Sequence, residues 1–221
     1  MAEPKTSALL MGATGLVGSA ALPLLAQAFD TVWTPGRRLP SNAPGNSHFV
    51  ETDYSDLSPL NKAIAEPPEV VCIAFGTTIK QAGSQERFAT VDRDYPLALA
   101  RWALGRGAQR LCLISAVGAD VQSRVFYNRI KGELEQALRD MPWQSLHILR
   151  PSLLLGPHAN RPLETLGQVV MGPMAPLLPA RIRPIKATQL AGTMVACARD
   201  HEAKGVQVLE GRPLFEEKGR S

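Results

Sequence analysis

Three glycines, Gly12, Gly15 and Gly18, stand between an apolar run, Ala8 to Met11, and a segment with helical apolar spacing, Leu16 to Ala28. In such a loop the first glycine permits a tight turn, the second lets backbone N–H groups approach a diphosphate, and the third lets helix and strand pack closely. The helix start adds roughly half a positive charge. The spacing predicts a dinucleotide site at the head of a strand–helix–strand unit, with Thr14, Leu16 and Val17 in the same loop.

The rest of the chain continues that alternation. Apolar or β-branched runs at Thr31 to Thr34, His48 to Glu51, Val70 to Phe75, Arg110 to Ser115, Ser145 to Leu149 and Val206 to Leu209 read as strands. Helical spacing falls at Ser58 to Ala65, Asp94 to Leu104, Val125 to Arg139 and Thr188 to Ala198. Pro23 inside the first helix predicts a kink there, and Gly105 and Gly107 predict a helix stop. Strands separated by helices imply an α/β fold with a doubly wound parallel sheet. The 221 residues are read as one domain, 1–221, with a proline- and glycine-rich substrate-side segment at about 152–190 as a small cap.

Composition narrows the partners. With 24 basic against 20 acidic residues, spread evenly, the chain has no charge pattern for nucleic acid. No apolar stretch is long enough to span a bilayer, and the first residues lack a secretory apolar region, so a cytoplasmic protein is expected. Cys72, Cys112 and Cys197 show no spacing for zinc or a redox pair and read as buried thiols; no metal site is expected. Monomer and homodimer are both left open.

An NAD-selective site places an acid about twenty residues beyond the glycines, to bond the ribose hydroxyls. Here stand Gly36, Arg37 and Arg38. Two guanidinium groups pair well with a ribose phosphate, so NADP(H) is the expected cofactor, ahead of NAD(H). Asp53 is placed at the adenine edge, and Phe75, Gly76 and Thr77 along the adenosine ribose and diphosphate.

Tyr127 and Lys131 lie four apart on the Val125 to Arg139 helix, which stacks them on one face. A phenol is a poor acid–base group at neutral pH, but a nearby ammonium and nicotinamide favour its phenolate. The alternative is a tyrosine packed on the core with Lys131 pairing Glu135. Asp92 and Asp94 either cap the preceding helix or sit near the cofactor.

These residues together resemble an atypical short-chain dehydrogenase/reductase, and within it the Tat-interacting protein family of oxidoreductase-like proteins. The resemblance rests on the Gly12 to Gly18 loop, Arg37 and Arg38, the segment Phe75 to Thr78 through Ala82 and Gly83 to Val91 to Tyr95, Ser115 with Gly118 to Asp120, Tyr127 with Lys131 to Glu133, and Arg150 with Pro151. It implies a Rossmann fold binding NADP(H), with Tyr127 moving a proton, Lys131 bonding the nicotinamide ribose and Ser115 polarising the substrate oxygen. Pro151 and Ser152 then contact the nicotinamide end. Many relatives carry a second serine where this chain has Ala116, so Ser115 is open to facing away from substrate. His147 reads as packed or surface, and His158 as a further candidate facing substrate. The implied activity is reduction or oxidation of an unidentified small carbonyl or alcohol. The alternative is an NADP(H)-sensing protein that relays occupancy to a protein partner. The short stretch after Arg150 argues against a nucleotide-sugar epimerase.

Overall fold

The computed structural model describes residues 6–41, 43–155 and 183–215. Its strands are β1 (Ser7–Met11), β2 (Thr31–Gly36), β3 (Ser47–Glu51), β4 (Val70–Ile73), β5 (Arg110–Ile114), β6 (Ser145–Arg150), β7 (Leu154–Leu155), β8 (Ile185–Lys186) and β9 (Gly205–Glu210). Seven form one parallel sheet in the order β3-β2-β1-β4-β5-β6-β9, and β7 and β8 make a separate parallel pair. The strand order reverses between β1 and β4. In such sheets ligands bind in the crevice that opens at that point, beyond the carboxyl ends.

Successive residues of a strand face opposite ways, and here both faces are covered. In β1, Ala8 and Leu10 join one core while Leu9 and Met11 join the other. α1 (Leu16–Ala28) and α7 (Ala187–Arg199) close the first face. α2 (Ser58–Ala63), α5 (Tyr95–Gly105) and α6 (Phe126–Arg139) close the second. That double cover is why these strands read as unbroken apolar runs.

Prolines fall where the ladders tolerate them. β2 runs on through Pro35 to Gly36, past the expected end at Thr34, because its pairing with β1 stops at Trp33 while its pairing with β3 continues. A missing N–H costs no bond on the free side. α1 is one continuous helix, with Pro23 on its exposed side. β4 ends at Ile73, two residues early, and Ala74 and Phe75 leave the sheet for the crevice. α2 also ends early, since Ile64 turns extended and drops into the core.

The largest departure is the stretch before α5. Instead of a single helix starting at Asp94, the chain forms α3 (Ile79–Ala82), α4 (Gln85–Ala89) and a π-helical turn over Thr90–Asp94. α3 and α4 start on hydroxyl caps, Thr78 accepting from the Gln81 N–H and Ser84 from the Arg87 N–H. Elements of four or five residues are too short for a periodicity signal. The π turn places Asp92 in the interior, 1% exposed.

The three cysteines are buried and unbridged, as expected. The fold brings them onto one core, with Cys72 and Cys112 level in adjacent strands. Burial pushes the Cys72 thiol up to about 12, which keeps it protonated and unreactive. His147 is packed, 1% exposed. Among the described residues no helix is long and apolar enough to cross a membrane.

Candidate active site

One cleft of about 1130 Å³ runs along the carboxyl ends of the strands. That exceeds the roughly 300–1,000 Å³ usual for a small ligand. Every residue expected from the sequence to bind cofactor or act in catalysis lines it, except Gly18 and Pro151. Gly18 lies beneath the loop. Pro151 is buried, its carbonyl accepting the Val117 N–H at 2.9 Å, so it shapes the turn without facing the cleft.

The glycine loop is held by main-chain contacts. Gly12 has φ +91, and a Cβ there would lie 2.4 Å from the Ala74 carbonyl oxygen. A Cβ on Gly18 would lie 2.0 Å from the Gly12 carbonyl oxygen. Gly15 caps α1 with no side-chain hydrogen bond, and the first turn carries no acid. Helix-start amides without a side-chain acceptor, in a cradle that any Cβ would close, fit the phosphates of a dinucleotide.

Arg37 and Arg38 follow β2, are exposed, and form no hydrogen bond or ion pair with another described residue. Asp53 is exposed beyond β3, and bonds from the Ser55 hydroxyl and amide hold its carboxyl below the usual range. Beside it, Tyr54 takes φ +69, which costs a side-chain-bearing residue about 1–3 kcal/mol. Its hydroxyl donates to the Pro35 carbonyl at 2.7 Å and its ring meets Phe75 edge-on at 5.0 Å. Burial holds this phenol far above its ordinary range, so it serves as an apolar wall. The sequence reading missed Tyr54; no pattern signals a strained tyrosine after a strand.

At the other end, Tyr127 and Lys131 share one face of α6 as their spacing implies, with Nζ 5.9 Å from the centre of the Tyr127 ring. Lys131 does not pair with Glu135. Its Nζ lies 2.7 Å from Asp92 Oδ1, with both side chains buried. Asp92 Oδ2 also accepts the Thr77 N–H at 2.8 Å, which ties the pair to the turn after β4. Neither Asp92 nor Asp94 caps a helix through its side chain, and Asp94 pairs with Arg93. Burial works to lower the Lys131 pKa, but Asp92 and, further off, Tyr127 and Glu135 outweigh it and leave it raised. A carboxylate four residues after Phe88, and so on the same helical face, is the one hint of this inward turn that the sequence carried.

Ser115 lines the cleft, yet its hydroxyl donates to Glu135 Oε1 at 2.5 Å. Glu135 is fully buried and also takes Arg150 through two oxygens, at 2.9 and 2.6 Å, and Arg139 at 2.8 Å. Arg150 in turn donates to the Ala119 carbonyl. With its proton given to Glu135, Ser115 offers the cleft a lone pair and no donor. The Ser152 hydroxyl donates to the Arg183 carbonyl at 2.6 Å, joining the turn after β6 to the start of β8. His158 and most of the expected substrate-side segment, 156–182, lie outside the described residues.

Fold and cleft define a Rossmann-type dinucleotide-binding domain. The family model of the NAD dependent epimerase/dehydratase family matches residues 8–172, and the chain belongs to that family. It is 31% identical over 219 residues to "Protein FMP52, mitochondrial" of Eremothecium gossypii, covering 95% of this chain and 96% of the relative. The protein of the same name from Candida albicans is 31% identical over 211 residues, covering 90% and 89%. Among solved structures, MoeE5 in complex with UDP-glucose and NAD superposes with a TM-score of 0.70 at 13% identity, covering 92% of this chain and 76% of MoeE5. That last likeness is one of fold. The relatives' mitochondrial names overturn the expected cytoplasmic location. That expectation weighed apolar secretory leaders, whereas mitochondrial leaders are amphipathic and rich in arginine and serine.

Proposed function

We propose that the protein is an NADP(H)-dependent oxidoreductase of the short-chain dehydrogenase/reductase type, acting on a small carbonyl or alcohol. One observation carries the reading: α1 amides without a side-chain acceptor, two arginines with no carboxylate partner among the described residues, and a tyrosine–lysine pair lie along a single cleft. A bound nicotinamide dinucleotide supplies the hydride donor or acceptor. The α1 amides hold the diphosphate, and Arg37 and Arg38 hold the ribose phosphate. Tyr127 gives or takes the proton at the substrate oxygen, Lys131 bonds the nicotinamide ribose, and Asp92 fixes Lys131 in place. Ser115 accepts from a substrate hydroxyl. The family's NAD dependence and the NAD in the MoeE5 structure support the dinucleotide; the phosphorylated form rests on Arg37 and Arg38. The narrower likeness to the Tat-interacting oxidoreductase-like proteins rests on Phe75 to Tyr95.

The test pairs binding with turnover. Calorimetry is expected to register tighter binding of NADPH than of NADH, and Arg37→Ala with Arg38→Ala to raise the NADPH Kd by about tenfold or more while leaving NADH unchanged. Tyr127→Phe is expected to abolish NADPH consumption in a carbonyl screen with NADPH affinity intact. Turnover equal to the parent's removes Tyr127 from the chemistry. A second reading, an NADP(H) sensor with little catalysis, is favoured by the commitment of the Ser115 proton to Glu135. It requires that NADPH bind and none be consumed.

A further inference from the structure

α4 brings an arginine to the Tyr127 end of the cleft, and no feature so far described uses it. Arg87 lines the cleft and is exposed. Its backbone is fixed, since the N–H is capped by Ser84 at 3.1 Å. The next residue, Phe88, is fully buried with its ring 5.6 Å from that of Tyr127. The guanidinium makes no hydrogen bond or ion pair with a described residue.

Among the described residues, the acids of the neighbouring elements have other partners. Asp92 is paired with Lys131, while Asp94 and Glu133 are paired with Arg93. Glu86 is engaged with its own amide and the Ser84 hydroxyl. Among the described residues the cleft has one other acid, Asp53, which lies beyond the edge strand β3, three strands from β4. Among the described residues that line the cleft, Asp92 balances Lys131 and the charge left at the Tyr127 end is that of Arg87. An uncompensated guanidinium on a fixed turn, in a cleft with low-dielectric walls, favours an anion with two oxygens in one plane.

We infer that Arg87 binds an anionic group of the substrate, so that the molecule presented to Tyr127 is a small carbonyl or alcohol bearing a carboxylate or a phosphate. The inference rests on the proposed oxidoreductase reading for the word substrate, and on Arg87 alone for the anion.

Two measurements separate these. The first is calorimetry of the NADPH-saturated protein with malonate and with inorganic phosphate. At least one is expected to bind, and which one binds tells carboxylate from phosphate. Arg87→Gln is expected to weaken that binding by about tenfold or more with the NADPH Kd unchanged, and Arg87→Lys to restore part of it. Binding of neither anion, equal binding in Arg87→Gln, or a weakened NADPH Kd in that variant overturns the inference; the last result gives Arg87 to the cofactor. The second is NADPH consumption with 4-oxobutanoate against butanal, where about tenfold or greater preference for the acid is expected, lost in Arg87→Gln. Equal rates on both in the parent count against the anion site. If nothing in the carbonyl screen is consumed while malonate or phosphate binds through Arg87, the site stands and the oxidoreductase reading falls.

Discussion

At the glycine end of the cleft the functional groups are main-chain amides, positioned by how closely three backbone segments approach. At the Tyr127 end they are side chains from β5, α6, β6 and the π turn, positioned by buried ion pairs. The first end has almost no freedom to adjust, because carbonyl oxygens and Cα atoms cannot move aside. The second can lose a partner and keep its shape, at an electrostatic cost. The two ends therefore respond differently to substitution, in sterics on one side and in charge on the other.

Gly18→Ala tests the steric side and carries the largest expected effect. Its Cβ would meet the Gly12 carbonyl oxygen at 2.0 Å, the Gly12 carbonyl carbon at 2.7 Å and the Ala13 Cα at 3.1 Å. All three are backbone, so relief requires moving α1 off β1. The destabilisation is expected to exceed the ~1–3 kcal/mol of ordinary overpacking, with NADPH binding lost in whatever remains folded. Urea denaturation and calorimetry read the two effects. A stable variant with intact binding would show that the loop has slack the geometry denies.

Lys131→Met breaks the charged side, with the second-largest effect. It leaves Asp92 buried without its cation, a loss of about 3–5 kcal/mol in comparable pairs. The sign of its pH dependence follows from the raised pKa of Lys131. A raised lysine contributes fully below its unfolded value of 10.5 and loses that contribution as pH climbs through the folded value. The parent is therefore expected to lose stability above about pH 10.5, and Lys131→Met to lack that alkaline component. An identical alkaline slope in both proteins would place the titration elsewhere.

The same contrast explains what could be read in advance. Gly12 to Gly18, the Arg37–Arg38 pair and the Tyr127–Lys131 spacing are local patterns, each written within one turn or one helix, and the sheet followed from apolar runs covered on both faces. Asp92 was not legible as the partner of Lys131, because a π turn between α4 and α5 decides which way it faces, and such turns leave no periodicity. Glu135 and Arg150 come from different elements and meet only when α6 packs on β6. The partners of the Tyr54 side chain, Pro35 and Phe75, are far from it in sequence. Local chemistry was visible; charge partners supplied by tertiary packing were not.

Ser115→Ala is the gentlest break, and it addresses the residue whose role the packing changes most. In the parent, the hydroxyl proton points to Glu135, a carboxylate that keeps both Arg150 and Arg139 when the serine is gone. The loss is then one hydrogen bond to a charged group, about 1.5 kcal/mol, readable as a lower urea midpoint with unchanged slope. A hydroxyl that polarised a carbonyl would cost far more in rate than in stability. One that only accepts from the substrate is expected to lower kcat/KM by less than about tenfold, under ~1.4 kcal/mol of barrier. Stability and rate together therefore decide which atom of Ser115 faces the chemistry: a drop of about a thousandfold or more with little change in the midpoint would require its proton to leave Glu135 for the substrate oxygen.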